Sequence, residues 1–198
     1  MVDVAVVNIW GEFAGAVRWD ESQQLGYFQY DSKFIEKGWD LSPIKMPIAQ
    51  GTQIYSFSEL RKGRNETEDT FKGLPGLLSD ALPDKYGNKL INVWLAQQGR
   101  SESSMNPVEK LCFIGTRGMG AIEFDPAQIK TGTKSFSLEL DSLVEVAKKM
   151  LNDRKAFSTN LNKDEEKAMM EILKIGTSAG GARPKAVIGY NPKTQFWI

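Results

Sequence analysis

The 198-residue sequence predicts an α+β fold, a small antiparallel β-rich N-terminal subdomain over residues 1–125 followed by helices over 126 onward. Three observations predict it. Short apolar or loosely alternating runs, separated by turn residues, fill residues 4–30 in the manner of hairpin strands. From Leu74 the apolar residues fall at helical spacing instead. A stretch beginning at Asp125-Pro126 and running to Lys134 separates mixed sequence before it from purely helical sequence after it, and marks the domain boundary.

Composition narrows the function. Lysine plus arginine (25) balance aspartate plus glutamate (25), so no net field draws the chain to nucleic acid or to a membrane. The chain has no histidine, which excludes Ser-His-Asp and Cys-His chemistry, histidine metal sites and a His-Arg-Asp catalytic loop. The single cysteine, Cys112, lies in the apolar run Leu111-Cys-Phe-Ile114 and is expected to be a buried small hydrophobe, with no disulfide possible within the chain. Met1 to Val7 lacks a basic leader region, and no apolar run approaches ~18 residues. A reducing, cytoplasmic setting without a membrane span is the expectation.

Taken in order, Val4 to Trp10 and Phe13 to Trp19 form a hairpin that turns at Gly11-Glu12, and Leu25 to Tyr30 adds a third strand. Trp10, Trp19, Tyr27 and Phe28 are expected in the core; too few cations interleave them for a nucleic-acid stacking face. Asp31 to Gly38 allows one short helix. Leu41 to Ile48 carries two prolines and must be extended or looping. Lys62 to Asp69 is charged and polar, and is expected as a solvated loop. Leu74, Leu77 and Leu78 share one helical face, and a second helix restarts at Pro83-Asp84, with Asp84 near its N-cap. Leu90, Ile91, Trp94 and Leu95 give that helix a buried stripe, and Gln98-Gly99 ends it. Asp80 and Asp84 suggest a carboxylate pair for acid–base work, but caps or surface charges explain both better.

Pro107 to Ile114 is a short helix with proline in its first turn. Gly115 to Gly120 holds three glycines and Arg117, a composition that suits either tight turns against the core or an anion loop, with the turns favoured, and Ala121 to Phe124 is a strand. Beyond the linker, Leu140 to Leu151 is amphipathic, and Asn162-Lys-Asp-Glu165 has capping-box spacing ahead of a last helix ending near Gly176.

The run Gly176-Thr-Ser-Ala-Gly-Gly-Ala-Arg-Pro-Lys185 is poor in side chains and ends in two cations, so backbone N–H groups can approach a phosphate while Arg183 and Lys185 neutralise it. Ala186 to Tyr190, the turn Asn191-Pro192-Lys193-Thr194, and Phe196-Trp197-Ile198 follow as strand, turn, strand. That is the layout of a kinase-type glycine loop and not of a P-loop. The same residues would also serve as an ordinary loop after a helix.

Ser178 to Lys185 resembles the glycine-rich loop of HipA-like serine/threonine kinases, the toxins of bacterial toxin–antitoxin pairs. Leu74-Pro-Gly-Leu-Leu-Ser-Asp-Ala-Leu-Pro-Asp-Lys-Tyr-Gly-Asn-Lys-Leu90 and Gly115-Thr-Arg-Gly-Met-Gly-Ala-Ile-Glu-Phe124 are similar to two further blocks of that family, in the same order. The resemblance implies that residues 126–198 are a helical segment leading into the start of a kinase-like N-lobe. It implies that Ala179, Gly180, Gly181, Ala182, Arg183 and Lys185 contact the ATP phosphates and that Ser178 is the autophosphorylated serine. Arg183-Pro184 replaces the polar pair usual in that loop. The family's strand lysine, catalytic aspartate and metal-binding aspartate lie further along than Ile198. The expectation is an N-terminal portion, inert alone, that needs ATP and magnesium only in the complete kinase. Partners implied are a helix-turn-helix antitoxin, DNA through that antitoxin, and a protein substrate. A non-catalytic module that docks the antitoxin or regulates a separate kinase chain is the alternative.

Overall fold

The computed structural model describes residues 2–61, 68–118, 120–128, 190–193 and 196–197. Its contacts divide into two units. The first comprises residues up to Leu82 together with Met105–Ile129; the second holds Pro83–Ser104 and the described residues near the C-terminus.

In the first unit, β1 (Val4–Ile9) and β2 (Glu12–Asp20) pair antiparallel across a Trp10-Gly11 turn, and β3 (Leu25–Tyr30) returns beside β2. A two-residue β4 (Ile54–Tyr55) pairs with β3, and β5 (Ile122–Asp125) pairs with β1, giving the order β4-β3-β2-β1-β5. The register shifts between Val7 and Asn8, where Val7 faces Gly15 and Asn8 faces Phe13. Ala14 is therefore an extra residue, a β-bulge in β2. The two-residue period sends Tyr55, Phe28, Val17 and Ala5 to one face as a single cross-strand row, and Tyr30, Val7 and Phe124 join them there. All of these are buried.

Short helices cover that face. Asp31 caps α1 (Ser32–Glu36) by accepting from the backbone N–H of Lys33 and Phe34, and Phe34 packs 6.1 Å from the Tyr30 ring. α2 (Glu68–Phe71) is a single turn, so the polar stretch expected to be loop up to Asp69 is helical from Glu68; residues 62–67 lie outside the described set. Gly73 has φ +76°, and its carbonyl accepts from Gly26 N–H at 2.8 Å. A Cβ there would strike the Gln24 carbonyl oxygen, so only glycine fits. α3 (Gly76–Ser79) then delivers Leu78, which joins Leu74 in the core. α5 (Pro107–Ile114) lies against β1, β2 and β5.

The second unit contains α4 (Lys85–Gln97). Asp84 is its N-cap, accepting from Gly87 N–H at 2.7 Å, and Gln98 with Gly99 at φ +68° ends it, as the sequence predicts. Leu90, Ile91 and Leu95 are fully buried and Trp94 half-buried. Near the C-terminus, β6 (Tyr190–Asn191) and β7 (Phe196–Trp197) pair antiparallel; Asn191, expected in the turn, belongs to the first strand, and 186–189 of that expected strand lie outside the described residues. The expected helices over 140–151 and 162–176 lie outside the described residues. No helix among the described residues is long and apolar enough to cross a membrane. The described residues form an α+β fold with a five-stranded antiparallel sheet and a separate two-stranded pair.

Two expected core residues stand elsewhere. Trp10 is 72% exposed, because it occupies the turn position itself at φ +48° instead of ending the strand. Tyr27 is half-exposed, because its place in β3 alternates with buried Phe28 and so falls on the other face.

Candidate functional site

Of the three motif blocks, the glycine loop with Ser178, Ala179, Gly180, Gly181, Ala182, Arg183 and Lys185 lies outside the described residues. The other two are described. In the Leu74–Leu90 block the acids are structural: Asp84 is the α4 cap, and Asp80 is an exposed residue at the end of α3.

The Gly115–Phe124 block is built on α5. Asn106 caps that helix by accepting from Glu109 N–H at 2.7 Å, and its side-chain amide donates to the Val2 carbonyl and the Asp3 carboxylate, tying α5 to the start of β1. Every residue from Val108 to Ile114 is buried. Gly115 ends the helix at φ +57°, donating to Leu111 O, and a Cβ there would meet Ala127 at 2.8 Å. Its carbonyl accepts from Phe124 N–H, so the turn is fastened to β5. At Gly115 the glycine serves the tight turn against the core that the sequence favours over an anion loop.

Arg117 follows. Its Nη2 donates to the carbonyl of Phe113, its guanidinium lies 5.1 Å from the centre of the Phe113 ring, and only 8% of the residue is exposed. A cation beside the last carbonyls of a helix is favoured by the helix dipole. Burial pulls its pKa down to about 10, which still leaves it charged at neutral pH. Cys112, on the same helix, is fully buried. Burial first, then the charges of Glu109 and Asp125, push its thiol up to about 12, so it is neutral and no nucleophile.

The sheet's outer face presents a second feature, which the sequence reading did not single out. Val4, Phe13, Ala16, Arg18, Tyr27, Gln29 and Ile54 line an open concavity of about 580 Å³, within the range of ligand clefts. Val4, Phe13 and Ile54 are 49%, 45% and 58% exposed, unusual for three large apolar groups on one face. The available signal was β1 itself: Val4 and Val6 are apolar at positions that alternate with the inward Ala5 and Val7.

Residues 5–125 match the family model described as the HipA N-terminal domain, which is more than half of the chain. The chain belongs to that family. No curated protein and no solved structure matches it. The match spans the five-stranded sheet from Ala5 onward, α5 and both described motif blocks, and it sets this HipA-like domain in a toxin–antitoxin context.

Proposed function

We propose that the chain is the N-terminal part of a HipA-like serine/threonine kinase toxin whose complete form binds ATP with magnesium, phosphorylates a protein serine and is held in check by a helix-turn-helix antitoxin. The family match over residues 5–125 carries this reading. The loop motif Ser178 to Lys185 and the β6–β7 pair behind it support it. In this reading residues 1–125 are the docking subdomain and 126–198 lead into the kinase N-lobe, in the cytoplasm.

The chain's own contribution to phosphoryl transfer is positioning and charge. Backbone N–H groups of Ala179 to Ala182 would hold the nucleotide phosphates and Arg183 and Lys185 would neutralise them, with magnesium supplying further positive charge in the complete kinase. The residues that would activate the substrate hydroxyl and hold the metal are expected elsewhere in the complete kinase. Phosphate on Ser178 adds about 1.5–2 negative charges beside the nucleotide phosphates and competes for Arg183 and Lys185, which turns nucleotide binding down.

The outer sheet face favours the second reading, a docking module for the antitoxin. Its exposed Val4, Phe13 and Ile54 contribute little to the core. One experiment separates the readings: incubate the complete gene product with magnesium and labelled ATP, and locate phosphate by mass spectrometry. Label on Ser178 that disappears in Ser178→Ala supports the kinase. No transfer by the complete protein, with retained antitoxin binding, leaves only the docking module.

A further inference from the structure

The outer face of the sheet carries two cross-strand rows. Val4, Arg18 and Tyr27 stand opposite one another in the first, and Val6, Ala16, Gln29 and Ile54 in the second. Two kinds of group are left over there. Val4, Phe13 and Ile54 expose apolar surface. Arg18 is exposed as well, and among the described residues no hydrogen bond or ion pair engages it. The acids that line the same concavity are already used. Asp20 accepts from the Ser22 hydroxyl and from the Ser22 and Gln23 amides, and Asp31 caps α1. The free charge of the face is therefore a cation set among apolar groups.

We propose that this face receives an amphipathic α-helix of a partner protein, with apolar residues against Val4, Phe13 and Ile54 and a carboxylate against Arg18. The inference rests on the docking reading of this face and names the occupant. The carboxylate follows from burial. Covering the apolar groups takes Arg18 out of water, and a buried cation without a partner opposes binding. A carboxylate answers it with two parallel hydrogen bonds. The helix follows from the backbone. The main-chain groups of β1, β2 and β3 are spent on one another in the ladders. An extended segment lying on the face would bury N–H and C=O groups with almost nothing to meet, whereas a helix satisfies its own. The spacing also fits, since successive outward residues of a strand stand about 6.6 Å apart and helix residues i and i+4 about 6 Å. A second copy of the chain brings no free carboxylate on its equivalent face, because Asp20 and Asp31 are engaged there too.

The test uses the full chain, with the complete antitoxin as probe. A photo-cross-linking side chain at Ile54 locates the antitoxin segment that lies on the face, and calorimetric titration gives the affinity. Alanine scanning of that segment should lose affinity at positions three or four apart, the helical spacing. Arg18→Glu, an exposed change that leaves the melting midpoint in place, should weaken the complex roughly thirtyfold or more. Replacing one acidic residue of the segment by lysine should then restore about tenfold of that loss. No complex, or no cross-link from this face, overturns the docking reading and the inference with it. A cross-linked complex that is indifferent to Arg18→Glu, lacks a lysine rescue or is sensitive at every second position overturns the inference alone. A dimer of the chain by itself that Ile54→Glu dissolves gives the face to a second copy, and also overturns it.

Discussion

On β2, Val17 and Trp19 are almost wholly buried, while Ala16 and Arg18, each one residue away, line the open concavity on the opposite face. β3 repeats the contrast with Phe28 against Tyr27 and Gln29, and β4 with Tyr55 against Ile54. The inward side chains form one aromatic and aliphatic cluster, in which the Phe28 and Tyr30 rings meet edge to face at 4.8 Å. The outward ones mix valine, isoleucine, phenylalanine and tyrosine with Arg18 and Gln29. An ordinary solvated sheet face would be polar throughout. The inner face therefore explains why the domain folds, and the outer face holds apolar residues that folding does not require.

The sharpest way to break this contrast is to truncate one residue from each face. Phe28→Ala should lower unfolding free energy by about 3–5 kcal/mol, since the ring is fully buried and its loss leaves a cavity. Tyr27→Ala, one position along, should cost under about 1 kcal/mol. Urea unfolding of both variants gives the comparison, and equal losses would mean that the outer face is also packed.

Asn106→Ala probes how the inner face is closed. The variant removes the α5 cap together with both amide hydrogen bonds to Val2 and Asp3, which hold the helix against the edge of β1. A loss of about 1–2 kcal/mol is expected. The same unfolding assay checks it, with Asn106→Ser as a partner variant that keeps an uncharged cap acceptor, lacks the amide donors and should lose less.

Much of this was legible before the structure. The strands β1 to β3 show as short apolar or loosely alternating runs between turn residues, and the ends of α4 and α5 show in Asp84, Gly99 and Pro107, whose backbone preferences are local. What was not legible depends on distant partners. β4 is two residues long, too short for any period, and exists because Phe28 and Gln29 offer it an edge. Trp10 suggests core by its size, yet whether a tryptophan ends a strand or occupies its turn is decided by the register that the bulge at Ala14 sets. Arg117 was visible as a residue between glycines, but its burial and idle donors follow from how Gly115 folds the chain back on α5. The loop from Ser178 to Lys185 was the plainest motif, and its geometry lies outside the described residues.

The inner face should also respond to alkali. The Cys112 thiol is raised from 9.0 to about 12, so the folded chain keeps a proton that the unfolded chain releases. The stability this contributes is complete below pH 9 and declines as pH rises from 9 toward 12. Burial raises Tyr30 as well, with the same sign. Unfolding midpoints measured from pH 8.5 to 11.5 should fall for the wild type and fall less steeply for Cys112→Ala. Parallel curves would show that the thiol is not held in an apolar site.

The smallest effect on stability should come from the outer face, and there it would carry the most information. Val4→Thr and Ile54→Thr keep β-branching, so strand propensity is preserved while apolar surface is removed. Each should change unfolding free energy by no more than about 0.5 kcal/mol, because neither side chain is in the core. If this face docks an antitoxin, the same pair should weaken that complex roughly tenfold, from the apolar area withdrawn at the contact. Calorimetric titration of the chain with the antitoxin gives the affinity, and melting of the free chain gives the stability. A destabilised chain with unchanged affinity would reverse the assignment, placing Val4 and Ile54 in the service of the fold and the docking surface elsewhere. A stable chain with weakened affinity would separate the two faces by function as cleanly as burial separates them by structure.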